Sequence, residues 1–134
     1  MLIRLQETPI DVGEVHALIS GTDSGAEVVF SGLVRRTSEY GVIEALFYEA
    51  YAEMALSVIT KIAHEAMEKH SLRSVAVIHR IGRMLPGEAS VVVGVSSMHR
   101  HDAFAGCSEI MDRVKAEAPI WKKDVFPDGE KWRD

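Results

Sequence analysis

Between Ser74 and Ser97 two stretches of apolar and β-branched residues stand on either side of Pro86-Gly87, and nothing else in the chain narrows the possible folds as much. Ser74 to Gly82 and Ala89 to Ser97 have strand composition. Proline presets one backbone angle and glycine tolerates positive φ, so the pair between them predicts a reversal and a β-hairpin. The apolar run Val91 to Val95 is short, far below the roughly 20 residues that a membrane-spanning helix requires.

Helical spacing is clearest from Met54 to Met67. Met54, Val58, Ile62 and Ala66, with Ala55, Ile59, Ala63 and Met67, form a broad apolar stripe, and Glu65 and Lys69 fall four apart on the wet side. Asp11 suits the cap of an earlier helix carrying Val12, Val15, Leu18 and Ile19 and stopping at Gly21. Ala103, Phe104, Cys107, Ile110, Met111 and Val114 mark a third, beginning near His99 to Asp102 and ending before Pro119.

The remaining segments read as strands and loops. Leu2 to Glu7 and Gly25 to Val34 are strands, Arg35 to Gly41 a polar loop, and Val42 to Tyr51 a further strand expected to pair antiparallel with Gly25 to Val34. Trp121 to Phe126 reads as a last short strand, followed by a polar tail relieved only by Trp132. Without repeats or linkers, residues 1–134 form one α+β domain with mainly antiparallel strands and about three helices. Strands with modest helical cover leave an edge to be paired, which favours a homodimer.

Composition removes several classes of function. A net charge of −5 gives no general cation excess for displacing counterions from nucleic acid, so neither nucleic acid nor a membrane is an expected partner. The N-terminus lacks the charged and apolar regions of a secretory signal. Cys107 is the only cysteine, which excludes an internal disulfide and points to the reducing cytoplasm. It falls on an apolar stripe beside Phe104 and Met111, as a core thiol would.

Local basic sites remain. Met98-His99-Arg100-His101 stands where a strand hands over to a helix, a place where free N–H groups and the helix dipole favour an anion and where Arg100 adds a two-pronged contact. Lys115 and Lys122 flank Ala118-Pro119. Proline turns the chain there and brings the second lysine back toward the first, and ammonium groups held close lower each other's proton affinity. An amine so placed serves as nucleophile, base or acid. Arg35-Arg36, at the end of an apolar strand, suits a phosphate or a heterocycle's carbonyl edge. Solvated surface side chains are the common alternative for each of these groups. His79, His99 and His101 raise the question of a metal, but no third ligand has convincing spacing, and histidines on a strand surface are the ordinary explanation. No metal and no cofactor are expected.

Together these residues resemble the large, catalytic subunit of molybdopterin synthase. The likeness rests on GAEVVFSGLVR at 25–35, YEAYAEMA at 48–55, VIHRIGRMLPGEASVVVGVSSMHR at 77–100 and APIWKKDVFPDGEKW at 118–132. It spans nearly the whole chain from residue 25 onward. The resemblance implies a fold of the α/β-hammerhead type, a homodimer within a heterotetramer, and a small ubiquitin-like subunit carrying a C-terminal Gly-Gly thiocarboxylate. It further implies sulfur transfer to cyclic pyranopterin monophosphate, forming the dithiolene of molybdopterin. It assigns Lys115 and Lys122 as catalytic lysines, with Lys115 nearest the carbonyl carbon of the inserted tail. His99, Arg100 and Arg35 become contacts to pterin and phosphate, and Met111 part of the wall.

Two departures stand out. Arg36-Thr37-Ser38 follows the first arginine where many relatives carry Asn-His or a similar polar pair. Some relatives continue past the GxxW motif and supply another basic residue, for which Arg133 is the substitute here. The competing function is a noncatalytic module for a phosphorylated metabolite or a protein tail, which would need Arg35, His99 and Arg100 but could dispense with Lys115.

Overall fold

The computed structural model describes residues 1–132 in full and the backbone of Arg133; the side chain proposed as a substitute at Arg133 lies outside the described residues. In chain order the elements are β1 (Leu2–Gln6), α1 (Val12–Ile19), β2 (Ala26–Leu33), β3 (Thr37–Ser38), β4 (Gly41–Val42), β5 (Ala45–Ala50), α2 (Ala52–Lys69), β6 (Leu72–Arg80), β7 (Gly82–Met84), β8 (Ala89–Ser97), α3 (Arg100–Glu117), β9 (Ile120–Phe126) and β10 (Gly129–Arg133).

They build two four-stranded sheets, β1-β6-β8-β2 and β10-β9-β5-β7, with β3-β4 as a small hairpin. Among the described residues only β1 and β6 pair in parallel, and the other ladders are antiparallel. The expected α+β class, the three helices and the hairpin about Pro86-Gly87 are all present.

Along β6 and β8 alternate side chains serve opposite faces. Ala76, Ile78 and Val92 pack with Val15 and Ile19 of α1. Val75, Val77, Val91, Val93 and Val95 pack instead with α2 and α3, through Ile59, Ile62, Cys107, Ile110 and Val114. A strand buried on both faces needs apolar residues at every position, which is why these two read as continuous runs. The Cys107 thiol sits in that core, and burial pushes its pKa up to about 11, so it is a packing group and not a nucleophile.

Helix α1 lies so close to the sheet at Gly94 that no side chain fits there. A Cβ on that residue would run into Val15 Cγ1 and come within 3.3 Å of Ile19 Cδ1. The helix is capped as expected, the Asp11 carboxylate accepting from Gly13 N at 2.9 Å.

The turn between the sheets is tied by a buried charge. Glu88 N donates to Leu85 O at 3.1 Å and Gly87 has φ +92°, the geometry that Pro-Gly favours in a type II turn. Arg80, 8% exposed, donates through Nη1 to Glu88 Oε2 at 3.0 Å and through Nε to Glu7 O at 3.2 Å. Glu88 Oε1 also accepts from Leu85 N. The Leu85 N–H first, and Arg80 second, hold the Glu88 carboxyl below its ordinary range.

Four expectations need correction. The strand Val42 to Tyr51 does not pair with Gly25 to Val34. Over its eight residues β2 runs alongside the nine-residue β8, whereas β5 joins the other sheet between β9 and β7; a long nonlocal partner prevails over proximity in sequence. Residues 35–41, expected to be a loop, include β3 and the start of β4. Met54 is 58% exposed, because the buried stripe of α2 is a narrower row centred on Ala55, Ile59, Ile62 and Ala66. The polar tail forms β10 after a turn at Pro127-Asp128, an edge strand held on β9. There Lys123 Nζ lies 5.2 Å from the Phe47 ring centroid and 5.0 Å from that of Trp132, and 3.5 Å from Glu130 Oε2.

Two outcomes follow for stability. Gly94→Ala destabilises the fold by ~1–3 kcal/mol through overpacking under α1, read as a lower urea midpoint at unchanged m-value. Because the folded-state pKa of Glu88 is depressed, its contribution is present above the unfolded carboxylate value and disappears as pH falls through the folded one. The stability gap between the parent and Glu88→Gln therefore narrows as pH drops from neutral to well below 4.5, the ordinary value, in pH-dependent urea titrations.

Candidate active site

Helix α3 ends at Glu117, with Ala118 as its cap in extended conformation, and Pro119 prevents continuation. The chain doubles back at once into β9, with Ile120 N donating to Ala118 O at 2.8 Å. Lys115 occupies the last turn of α3 and Lys122 the third position of β9. The reversal brings both lysines to the lining of one cavity of about 380 Å³, together with Met111 one turn back along the helix. This volume falls within the range of small-ligand pockets.

Strand alternation decides which of the two adjacent lysines faces that cavity. Lys122 stands opposite Tyr48 and Lys123 opposite Phe47 across the β5–β9 ladder. Directly opposed residues share a face, so Lys122 joins Tyr48 at the cavity while Lys123 is held between aromatic rings on the other side. The remaining walls combine apolar residues, including Phe30, Leu33 and Val114, with His79 and Ser90.

Arg35 follows β2 by two residues and is exposed. It lines a second, polar cleft of about 600 Å³ with Ser38, Tyr40, Lys122, Asp124 and Trp132. A narrow space of about 90 Å³ shares Tyr48 and Ser90 with the first cavity and Arg35 and Asp124 with the cleft, and Lys122 lines all three. One amine thus stands at the junction of a largely apolar chamber and a polar one.

His99 and Arg100 are placed elsewhere. His99 is the N-cap of α3 and Arg100 its first residue, both exposed. Fifteen residues separate Arg100 from Lys115, about 22 Å along the axis at about 1.5 Å per residue. Within one chain, therefore, Arg35, Met111, Lys115 and Lys122 gather around connected cavities, and His99 and Arg100 mark the far end of the same helix.

Five carboxylates are engaged away from this region. Glu14 pairs with Arg4, Glu109 with Lys69 and His70, Glu65 and Glu117 with Arg113, and Glu88 with Arg80. Among the described residues Arg35, Lys115 and Lys122 enter no ion pair. Three cations, Arg35, Lys115 and Lys122, thus gather at the connected cavities of an acidic protein, beside the carboxylates of Glu39, Asp112 and Asp124. No group of three or more metal-binding side chains occurs among the described residues, and none of the described helices is long and apolar enough to cross a membrane.

Sequence reasoning missed Tyr48, His79 and Ser90 as lining residues. His79, expected on a strand surface, is only 5% exposed, because it lies on the face of β6 that α2 and α3 cover. Its period-2 relation to Val75 and Val77 was the available signal. Tyr48 is half-buried with its ring edge-on to His79, centroids 5.0 Å apart and planes at 72°. Burial pushes its phenol pKa up, against an opposing effect of the Ser90 hydroxyl.

Known proteins can now be set beside this geometry. The family profile described as MoaE protein matches residues 5–117. A molybdopterin synthase catalytic subunit of Oryza sativa subsp. indica is 46% identical over 125 residues; the match covers 93% of this chain but 65% of that protein's length. The namesake from Rhizobium meliloti is 46% identical over 129 residues, covering 95% of this chain and 82% of its own. The crystal structure of molybdopterin synthase from Staphylococcus aureus superposes with a TM-score of 0.93 at 35% identity, covering 97% of this chain and 95% of that one. By its sequence profile, its relatives and its fold, the chain belongs to the MoaE protein family.

Proposed function

We propose that this chain is the catalytic subunit of a molybdopterin synthase. It holds cyclic pyranopterin monophosphate while a small ubiquitin-like partner delivers sulfur from its C-terminal thiocarboxylate, in the cytoplasm. The observation that carries the reading is the convergence of Lys115, Lys122 and Met111 on one cavity, joined through Lys122 to the cleft of Arg35. The relatives named molybdopterin synthase catalytic subunit support the enzyme class, and the donor and substrate are those that the sequence resemblance implies.

Each residue type suits its task. Cations oppose the charge of the phosphate and stabilise the negative charge that develops as sulfur attacks carbon. An ammonium group protonates the oxygen that leaves when the cyclic phosphate opens. Lys115, on the helix end facing the cavity, meets the carbonyl carbon of the inserted tail. A tail ending in two glycines enters a narrow channel that side chains would block.

His99 and Arg100 retain their role as phosphate contacts in this reading, supplied by the second copy in a homodimer. Their distance from Lys115 within one chain and their exposure support that arrangement. The N-terminus of an 18-residue helix adds free N–H groups to the same contact.

Two measurements test these statements. With a thiocarboxylated partner, Lys115→Ala lowers single-turnover dithiolene formation by ~10²-fold or more while pterin binding persists; unchanged turnover makes the chain a noncatalytic binding module. Mixing Lys115→Ala with Arg100→Ala chains, each inactive alone, restores about a quarter of parental activity, since half the dimers then hold one intact site of two. No recovery in the mixture places both residues in the service of the same chain's site.

A further inference from the structure

His79 is a histidine with one free nitrogen in a buried position. Its Nδ1 lies 2.8 Å from Arg80 O. A carbonyl oxygen only accepts, so Nδ1 carries the proton and donates, and in the neutral ring Nε2 is left with a lone pair. Among the described residues nothing hydrogen-bonds Nε2. The side chain is 5% exposed and lines the cavity of Lys115 and Lys122. A buried polar atom without a partner costs free energy that a bound group recovers.

The ring cannot readily turn to another task. Nδ1 ties it to its own strand, and Tyr48 holds it edge-on from the other sheet. Burial also pushes its pKa below the ordinary imidazole value, which keeps Nε2 an acceptor at neutral pH. The charged groups that line the cavity with it are Lys115 and Lys122, whose amines donate, and Asp112 on the exposed side of the helix. The cavity thus sets cations suited to an anionic group beside His79, a buried, fixed and neutral acceptor for a hydrogen-bond donor.

A phosphorylated heterocycle has both features, an anion at one end and in-plane N–H groups at the other. Met111, Val91 and Val114 give the chamber apolar walls for a ring face, while Arg35 and Lys122 line the polar side. Resting on the substrate class advanced above, we propose that His79 is a further substrate-binding residue, whose Nε2 accepts a hydrogen bond from an N–H of the pterin and so fixes which end of the substrate enters the chamber.

Paired substitutions separate the two nitrogens. Asn at this position places an amide near Nδ1 and keeps the bond to Arg80 O; Gln reaches the position of Nε2. In the assembled synthase with thiocarboxylated partner, His79→Asn raises KM for cyclic pyranopterin monophosphate about five- to tenfold, the size of one hydrogen bond to a buried neutral acceptor. His79→Gln stays within about twofold of the parent, and neither variant changes KM for the small subunit. A parental pterin KM in His79→Asn overturns the assignment, as does a change confined to the small-subunit KM, which would make the protein tail the donor.

Should either variant fold poorly, imidazole ¹⁵N spectra of the unmutated chain decide the matter. The unprotonated nitrogen of His79 shifts on addition of cyclic pyranopterin monophosphate, and an unmoved resonance under saturating substrate refutes the contact. Absence of turnover in the parental synthase counts against the functional reading itself, whereas parental turnover with an unaffected His79→Asn counts against His79 alone.

Discussion

The structure depends on the pairing of β6 with β8, two strands whose both faces are apolar. A ladder of this kind is stable only under cover on each side, so α1 must lie against Ala76, Ile78 and Val92, and α2 with α3 against the valines opposite. Once α3 is seated on that face, the position of its last turn is set. The site is thus a consequence of core packing: Lys115 reaches the cavity because Ile110 and Val114, within about a turn and a half before it, are anchored in the valine layer.

The cavity lies where the two sheets meet. His79 and Ser90 come from the first sheet, Tyr48 and Lys122 from the second, and Met111 and Lys115 from the helix that covers one of them. Rigid elements position side chains more accurately than loops do, and here the lining is drawn mainly from strands and a helix. Arg80 and Glu88 fasten the turn at this seam. In the motif His79-Arg80 one residue therefore faces the chamber while its neighbour holds the frame, a division that follows from strand alternation.

Much of the fold was legible because the relevant signals are local. The stripe of α2, the cap at Asp11, the stop at Pro119 and the Pro86-Gly87 turn each depend on a few neighbouring residues. Strand pairing is not local: β2 and β5 are separated in sequence only by the small β3-β4 hairpin yet belong to different sheets, and only the lengths and faces of distant partners decide that. The small strands β3 and β10 escaped notice because their exposed residues leave no apolar alternation to read. For the site, Lys115, Lys122, Arg35 and Met111 were singled out in the sequence, and the fold brings them to connected cavities. His79 and Tyr48 were not singled out for it, since their place depends on how two sheets abut. His99 and Arg100 were grouped with the lysines by motif, and helix length sets them apart within one chain.

The two-residue repeat of β9 carries a consequence for how such a chain can evolve. Lys122 and Lys123 are chemically identical neighbours, yet one lines the chamber and the other is clasped by Phe47 and Trp132. Many substitutions around them leave that assignment intact. Loss of a single codon between Pro119 and Lys122 shifts the strand's outlook by half a period and sets Lys123 at the chamber position, whereas gain of one carries Lys122 into the aromatic clasp and leaves the chamber without either amine; both displace every residue behind them. The short connection after the helix is consequently tolerant of changed letters and intolerant of changed spacing.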